Sequence, residues 1–286
     1  MPTNPQATAL RERVSSGVPA RPGVYTWLAN DGEVLYVGKS VNLRRRMLSY
    51  LAAGASEHAS RQRHLAYSLS SFRFQETPGE LFALLLEDAL IKRYEPRHNT
   101  RSRDYRERCY LVQKGTTLQV SESPCETGSF GPFKDRHFAT RLRNLLEQVF
   151  GRPGTRGSLD TDEVGAFLRG EVGTAVAVLE RELEAAATVL HYERAANIRD
   201  AIGFCQRFGE RERFHQSFSG GEVVLSEPAI HAEYRLVKGA LTGFSLGSKA
   251  HEIPGELSAP LDDARHLRDR GNIAFDWMRT NRQPLR

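Results

Sequence analysis

Gly23-Val24-Tyr25, then Val34-Leu35-Tyr36-Val37-Gly38-Lys39, with Asn30-Asp31-Gly32 between them, is the stretch on which the fold turns. Two short apolar runs, each carrying a tyrosine and a glycine, flank an Asp-Gly pair, a local signature of a β-hairpin. Each tyrosine is then expected on a strand, its ring packed and its hydroxyl toward a groove. Ser40 or Asn42 follows as a cap for a helix over about 42–52 that runs through Arg44-Arg45-Arg46. Lys39, Leu43, Arg46 and Tyr50 fall at spacings of four, three and four, which predicts one shared face. A hairpin feeding an arginine-rich helix suits a phosphate chain.

Outward from that stretch, a polar helical segment is expected at about 57–66 and a strand over Ser68–Glu76. The Thr77-Pro78-Gly79 turn precedes a strong helix, Glu80–Tyr94. A second hairpin is expected within 109–123, around Lys114-Gly115. Gly128-Ser129-Phe130-Gly131-Pro132-Phe133 punctuates the chain before a helix at Arg136–Phe150, and a Gly/Pro/Arg-rich linker spans 151–158. Val176, Leu179, Leu183, Ala187 and Leu190, then Ala195, Ile198 and Ile202, predict two antiparallel amphipathic helices joined near His191-Tyr192. The tail mixes short β-like runs with a charged helical end. The expected domains are a leader (1–20), a small α/β domain (21–108), a hairpin/helix connector (109–160), a helical hairpin (161–213) and a short α/β segment (214–286).

The 286 residues allow two or three modest domains, and 40% apolar with 26% charged residues is ordinary for a soluble protein. The net charge of +5 favours a polyanion only weakly; its distribution says more. From Lys39 to Arg63 there are six Lys/Arg against one acid, and from Lys92 to Arg108 seven against three. Such clusters make salt-sensitive phosphate contacts or form a solvated basic face. The three cysteines, Cys109, Cys125 and Cys205, form no CxxC pair, which excludes a disulfide framework and a structural zinc pattern. No secretory signal and no membrane-length apolar run is present, so a cytoplasmic location without a membrane partner is expected.

Glu87 is the polar residue that stands out. Its neighbours at three and four residues on either side are Ala83, Leu84, Leu90 and Ile91, all apolar. Two readings are open: an edge carboxylate that tilts to solvent or meets an arginine, or a metal ligand. One carboxylate with substrate oxygens and water is a normal way to hold Mg²⁺. Phosphodiester cleavage also needs a base for water and cations for the charge on phosphorus. Tyr36 could serve as the base if Lys39 lowered its pKa, and Arg46 could clamp the phosphate. Core-edge packing remains the alternative for Tyr25 and Tyr36.

Gly23-Val24-Tyr25 and Tyr36-Val37-Gly38 resemble the paired motifs of the GIY-YIG nucleases. The longer string, from Arg21-Pro22 through Lys39-Ser40-Val41-Asn42-Leu43 and Arg46 to Leu84-Leu85-Leu86-Glu87, Pro96 and Asn99, resembles the N-terminal nuclease domain of UvrC. It is closer still to Cho, the short UvrC homologue. The resemblance implies an α+β fold, a small GIY-YIG-type mixed sheet flanked by helices. It implies Tyr36 as general base, with Tyr25, Lys39, Arg46, Tyr50 and Asn99 as further catalytic residues and Glu87 as the ligand of Mg²⁺ or Mn²⁺. More loosely, Phe167-Leu168-Arg169-Gly170 and Leu190–Asp200 resemble the UVR helical hairpin through which UvrC meets UvrB. That implies Tyr192, Ala195, Ala196 and Arg199 as partner-binding residues; a hairpin that packs on its own chain is the alternative.

Two departures matter. The cysteine cluster of UvrC has no counterpart in Phe150–Asp160, and the 78 residues after Phe208 are too few for the RNase H-like nuclease and helix-hairpin-helix motifs of UvrC. One active site, hence one cut, is expected. The expected function is a metal-dependent DNA endonuclease of nucleotide excision repair. It would act as a monomer, cut 3′ to a lesion and work with a UvrB-like subunit. Its expected DNA contacts are Asn42, Arg44, Arg45, Lys92, Arg93, Arg97, Arg101 and Arg103. The alternatives are a UvrB-independent structure-selective nuclease and a non-catalytic adaptor that binds DNA and UvrB.

Overall fold

A computed structural model describes residues 5–52, 68–99, 108–126, 128–151 and 159–282. The helical stretch expected at 57–66, Arg101, Arg103 and most of the 151–158 linker lie outside the described residues. The chain divides into two compact units that do not follow the sequence in blocks. One comprises Met1–Arg103, Val223–Leu261 and Asp276–Arg286; the other comprises Asp104–Glu222 and Asp262–Phe275.

In the first unit, β1 (Gly23–Leu28) and β2 (Val34–Ser40) form the expected hairpin. Gly32 takes φ +86° at the turn, where Ala29 N–H donates to Glu33 O at 2.9 Å. Strand β3 (Ser71–Glu76) pairs with the other side of β1, so the sheet order is β2-β1-β3 and every pairing is antiparallel. One face carries Tyr25, Trp27, Tyr36, Phe72 and Phe74, because cross-strand partners share a face (Trp27 opposite Tyr36 and Phe72; Tyr25 opposite Phe74). Leu43, Met47 and Tyr50 of α2 (Leu43–Tyr50) join that face.

The stretch expected as a polar leader with a possible short helix carries a 13-residue helix, α1 (Pro5–Gly17). Leu10 and Val14, with Val18 just beyond the helix, are buried in the same cluster as Tyr25 and Trp27. Their four-residue spacing is a narrow apolar stripe that the polar composition around it hides.

Helix α3 (Glu80–Tyr94) forms over the expected residues. Its cap residue, Gly79, has no side chain to satisfy the first N–H groups. Glu227, from β7 (Glu222–Glu227), supplies the missing acceptor: Glu80 N–H donates to Oε1 at 3.2 Å, and Tyr234 Oη donates to Oε2 at 2.7 Å. A Cβ on residue 79 would lie 2.3 Å from Glu227 Oε2, so a larger residue there would displace the capping carboxylate. Strand β7 belongs to an antiparallel sheet with β8 (Ala232–Val237), β9 (Ala240–Leu246) and β10 (Lys249–Ala250). Residues Val223–Leu261 of the tail are therefore part of the first unit, with Phe244 of β9 edge-on to Phe82 of α3 at 5.1 Å.

In the second unit, β4 (Cys109–Lys114) and β5 (Thr117–Ser121) form the expected hairpin. The Gly/Pro run expected only as punctuation is a third strand, β6 (Ser129–Phe133), giving the order β5-β4-β6. Helix α4 (Arg136–Phe150) is capped by Asp135, whose carboxylate accepts from Phe138 N–H at 2.7 Å. Helices α5 (Thr161–Leu168), α6 (Gly173–Thr188) and α7 (Tyr192–Gly220) follow. One core cluster runs from Leu111 and Phe133 through Leu142 and Phe167 to Leu179 and Phe208, and Phe214, Phe218 and Phe275 pack together. Helix α8 (Gly255–Ser258) belongs to the first unit; residues up to Phe275 of α9 (Ala264–Thr280) belong to the second, where Arg268 clamps Glu212 of α7, with Nη1 to Oε2 at 2.8 Å.

Candidate active site

The motif glycines are steric necessities. A Cβ on Gly23 would meet Gln75 O at 2.3 Å, and one on Gly38 would meet the Tyr25 hydroxyl at 2.6 Å and Tyr36 Cε1 at 2.7 Å. The close approach lets three phenols gather. The hydroxyls of Tyr25 and Tyr50 are hydrogen-bonded at 3.1 Å, and the ring centroids of Tyr36 and Tyr50 are 5.8 Å apart. Arg46 Nη2 donates to Tyr50 Oη at 3.2 Å, and its guanidinium lies 5.1 Å from the centre of the same ring. Tyr25 and Tyr50 are buried at 1% and 7% exposure, whereas Tyr36 is partly exposed. Tyr36 is thus the most accessible of the three phenols.

Glu87 reaches the exposed end of β2 from α3. The backbone N–H of Lys39 donates to Glu87 Oε1 at 2.9 Å. Burial raises the carboxyl above its ordinary value, while that N–H and the Lys39 charge oppose the rise. Among the described residues no group of three or more His, Cys, Asp or Glu comes together. The donor set here is one carboxylate, half-buried and short of compensating charge, which fits a hard divalent ion completed by water and phosphate oxygens.

Comparison with known proteins follows the same residues. A family model described as the UvrC-like GIY-YIG domain matches residues 21–100, and the UvrB/uvrC motif matches residues 175–205. Residues 21–100 form a UvrC-like GIY-YIG domain. The UvrABC system protein C of Natronomonas pharaonis is 32% identical over 302 residues, covering 88% of this chain and 51% of that protein. The proteins of the same name from Frankia casuarinae and Syntrophomonas wolfei are each 32% identical, with 33% and 39% of their lengths covered. This chain thus spans about half or less of the curated relatives it matches. Among solved structures, the N-terminal endonuclease domain of Thermotoga maritima UvrC with bound magnesium is 27% identical. That alignment covers 32% of this chain and 96% of that domain, with a TM-score of 0.28.

Within the GIY-YIG domain, the structure brings Tyr25, Tyr36, Arg46 and Tyr50 together and sets Glu87 against Lys39. Two expectations change. Burial raises the Tyr36 phenol well above the usual range, with Tyr50 and Glu87 adding to the rise. Lys39 does not counter it, because residues three apart on a strand point to opposite faces. The Lys39 ammonium instead lies 3.8 Å from Glu80. Lys39 also sits on β2, so it shares no helical face with Leu43 and Arg46.

Asn99 is buried at 6% exposure, away from the phenols' hydrogen bonds. Its Oδ1 accepts from Val37 N–H at 2.9 Å and its Nδ2 donates to Val37 O at 2.7 Å. Both polar ends are taken up by the outer edge of β2, so Asn99 serves as a positioning residue for the strand that carries Tyr36.

The expected phosphate contacts divide as well. Arg45 and Arg97 are exposed. Asn42 caps α2, accepting from Arg45 N–H at 3.0 Å, and Arg44 Nε donates to Val18 O at 2.6 Å. Lys92 is held by Asp88 at 2.7 Å with 7% side-chain exposure, and Arg93 pairs with Glu256 at 2.6 Å. Those partners come from one helical turn earlier and from the distant tail.

At the UvrB/uvrC motif, Tyr192 is 72% exposed, and Ala196 and Arg199 are exposed. Ala195 corrects an expectation: at 3% exposure it packs into its own core with Leu179 and Ile198. Val189 and Leu190 were missed; at 63% and 65% exposure they form the apolar tip of the turn. Leu190 takes φ +57°, a strained place for leucine. That exposed apolar tip was legible only as periodicity, which assigned Leu190 inward.

Proposed function

We propose that this chain is a metal-dependent DNA endonuclease that makes one incision, 3′ to a lesion, in company with a UvrB-like subunit. The observation that carries the reading is the convergence of Tyr36, Tyr50 and Arg46 with Glu87, which stand on three separate elements. The curated relatives named above and the match of residues 175–205 to the UvrB/uvrC motif support it.

Glu87 would hold Mg²⁺ or Mn²⁺, the Lys39 N–H fixing one oxygen and leaving the carboxylate oriented. Bound there, the ion supplies charge that favours departure of the 3′ oxygen and an anionic phenol nearby. Arg46, held by the Tyr50 hydroxyl and ring, takes up negative charge on the attacked phosphate. Tyr36, partly exposed beside them, would accept the proton of the attacking water as the phenolate, its own proton having passed to solvent. Burial works against that anion, and the Arg46 charge and a divalent ion held by Glu87 would favour it. Arg45 and Arg97 steer the backbone, and Val189, Leu190 and Tyr192 form the apolar contact for the partner subunit.

The test maps nicks on an end-labelled duplex with a single adduct, with and without a UvrB-like subunit, ATP and Mg²⁺. One cut 3′ to the adduct that needs the partner is expected. Glu87→Gln and Tyr36→Phe should each remove it and leave duplex binding within a few-fold of the parent. Retention of full nicking by both variants would refute the assignment, and partner-independent cutting would restrict it to a structure-selective nuclease.

A further inference from the structure

Helix α4 of the second unit carries a charge asymmetry that its core role does not explain. Ala139, Leu142, Leu146 and Phe150 point inward. On the solvent side, Lys134, Arg136, His137 and Arg141 are exposed over the first two turns, with Asn144 and Gln148 beyond them. The acids nearby are already engaged: Asp135 accepts from Phe138 N–H at 2.7 Å, Glu147 lies 3.5 Å from Arg143 Nε, and Glu182 of α6 accepts from Gln148 Nε2 at 3.5 Å and lies 3.7 Å from Arg194 Nη2. Lys134, Arg136 and Arg141 therefore present positive charge without an acidic partner among the described residues. Phe138, on the flank of the same helix, stacks near Phe204 of α7 at 5.8 Å and Phe133 of β6 at 5.9 Å, so the helix is anchored to two elements. A fixed helix whose exposed first two turns carry long cations with no carboxylate competing for them suits a ladder of phosphates, each cation meeting one phosphate oxygen.

We propose that this face of α4 is a second DNA-backbone contact, carried by Lys134, Arg136 and Arg141 and separate from the GIY-YIG unit. The proposal rests on the nuclease reading for its choice of polyanion. It assigns non-specific affinity, not cutting, to the second unit: the contacts go to phosphates, so they hold the duplex without selecting sequence.

The test compares the full chain with a Lys134→Gln, Arg136→Gln, Arg141→Gln triple variant. The control triple, Lys114→Gln, Arg181→Gln, Lys249→Gln, removes the same charge from other exposed positions. Binding to a fluorescent undamaged duplex is followed by anisotropy in EDTA from 50 to 300 mM NaCl, and nicking is assayed separately on the single-adduct duplex with the UvrB-like subunit, ATP and Mg²⁺. If all three cations contact phosphate, the slope of log affinity against log salt becomes shallower by about 2.7 in the α4 triple. The control triple should shift it by a small fraction of that. The Gln substitutions are exposed, and a melting curve for each variant checks that the fold is kept. An unchanged slope in the α4 triple, or equal changes in both triples, overturns the proposal. Because nicking is read on the parent protein, a parent that nicks while the α4 triple keeps its slope sinks this inference alone. A parent that neither binds nor nicks duplex DNA sinks the nuclease reading together with it.

Discussion

The Lys39 amide and the Glu87 carboxylate meet at 2.9 Å although 48 residues separate them. The bond joins the end of the second motif strand to the middle of α3, and it leaves a desolvated acid as the group around which the site is built. Its presence makes the two neutral replacements at residue 87 distinguishable.

Glu87→Gln keeps an oxygen for the Lys39 N–H and removes a charge that burial disfavours. The variant is expected to unfold at or slightly above the parent's temperature while losing metal-dependent nicking. Glu87→Ala strands the amide and should lower stability by about 1–3 kcal/mol. Urea titration of both variants checks the ordering; equal losses would mean that the bond does not contribute.

Asn99 spans both backbone groups of Val37 with one amide. Strand β2 lies at the edge of its sheet, so among the described residues no further strand is there to take over these bonds. Asn99→Ala should cost about 1–3 kcal/mol per group left unpaired in the buried edge. Asn99→Asp keeps the acceptor and loses the donor, so it should fall between the parent and the alanine variant. Amide exchange at Val37, faster in the alanine variant than in the parent, reports the loss directly.

Glu227 ties the tail to the helix of Glu87, accepting from Glu80 N–H and from the Tyr234 hydroxyl. Glu227→Ala uncaps the helix and leaves the buried Tyr234 hydroxyl short of its acceptor. A loss of about 1–3 kcal/mol is expected. Glu227→Gln should recover most of it, since amide oxygen still accepts. A calorimetric scan in which the alanine variant melts like the parent would show that the cap is dispensable.

His215 lies in the second unit against Asn272, its Nε2 3.1 Å from the Asn272 oxygen, so that nitrogen carries the proton and donates. Burial first, then the Arg268 charge, lowers its pKa to about 3. The unfolded chain protonates this ring near its ordinary value of about 6.5, so unfolding takes up a proton at lower pH. Its contribution is complete above about pH 6.5 and declines as pH falls toward 3, by at most about 1.4 kcal/mol per pH unit. His215→Gln should flatten the dependence of urea stability on pH between 4 and 7. Parallel curves for parent and variant would contradict the assignment.

Local chemistry was readable in advance. The Asp-Gly turn, the cap at Asn42 and the apolar run at the start of α3 are signals carried by a few neighbouring residues, and the elements formed where those signals stand. The motif glycines and Glu87 were visible for the same reason: a polar group inside an apolar stripe violates a rule that a short window can state. Beyond the reach of such windows lay the Gly/Pro strand β6, whose pairing to β4 is non-local, and the packing of Leu10 and Val14 against Tyr25.

The sequence by itself determined the hairpin, the helix that carries Glu87 and the set of groups available for chemistry, because these depend on propensity and on spacing along one element. Only the tertiary structure decided that Lys39 turns from Tyr36 toward Glu80, that Asn99 clamps a strand and that Glu227 caps α3. Hydrogen bonds and burial act through space between segments far apart in the chain. Which of several competing partners a charged or amide group finds is therefore set by the folded arrangement.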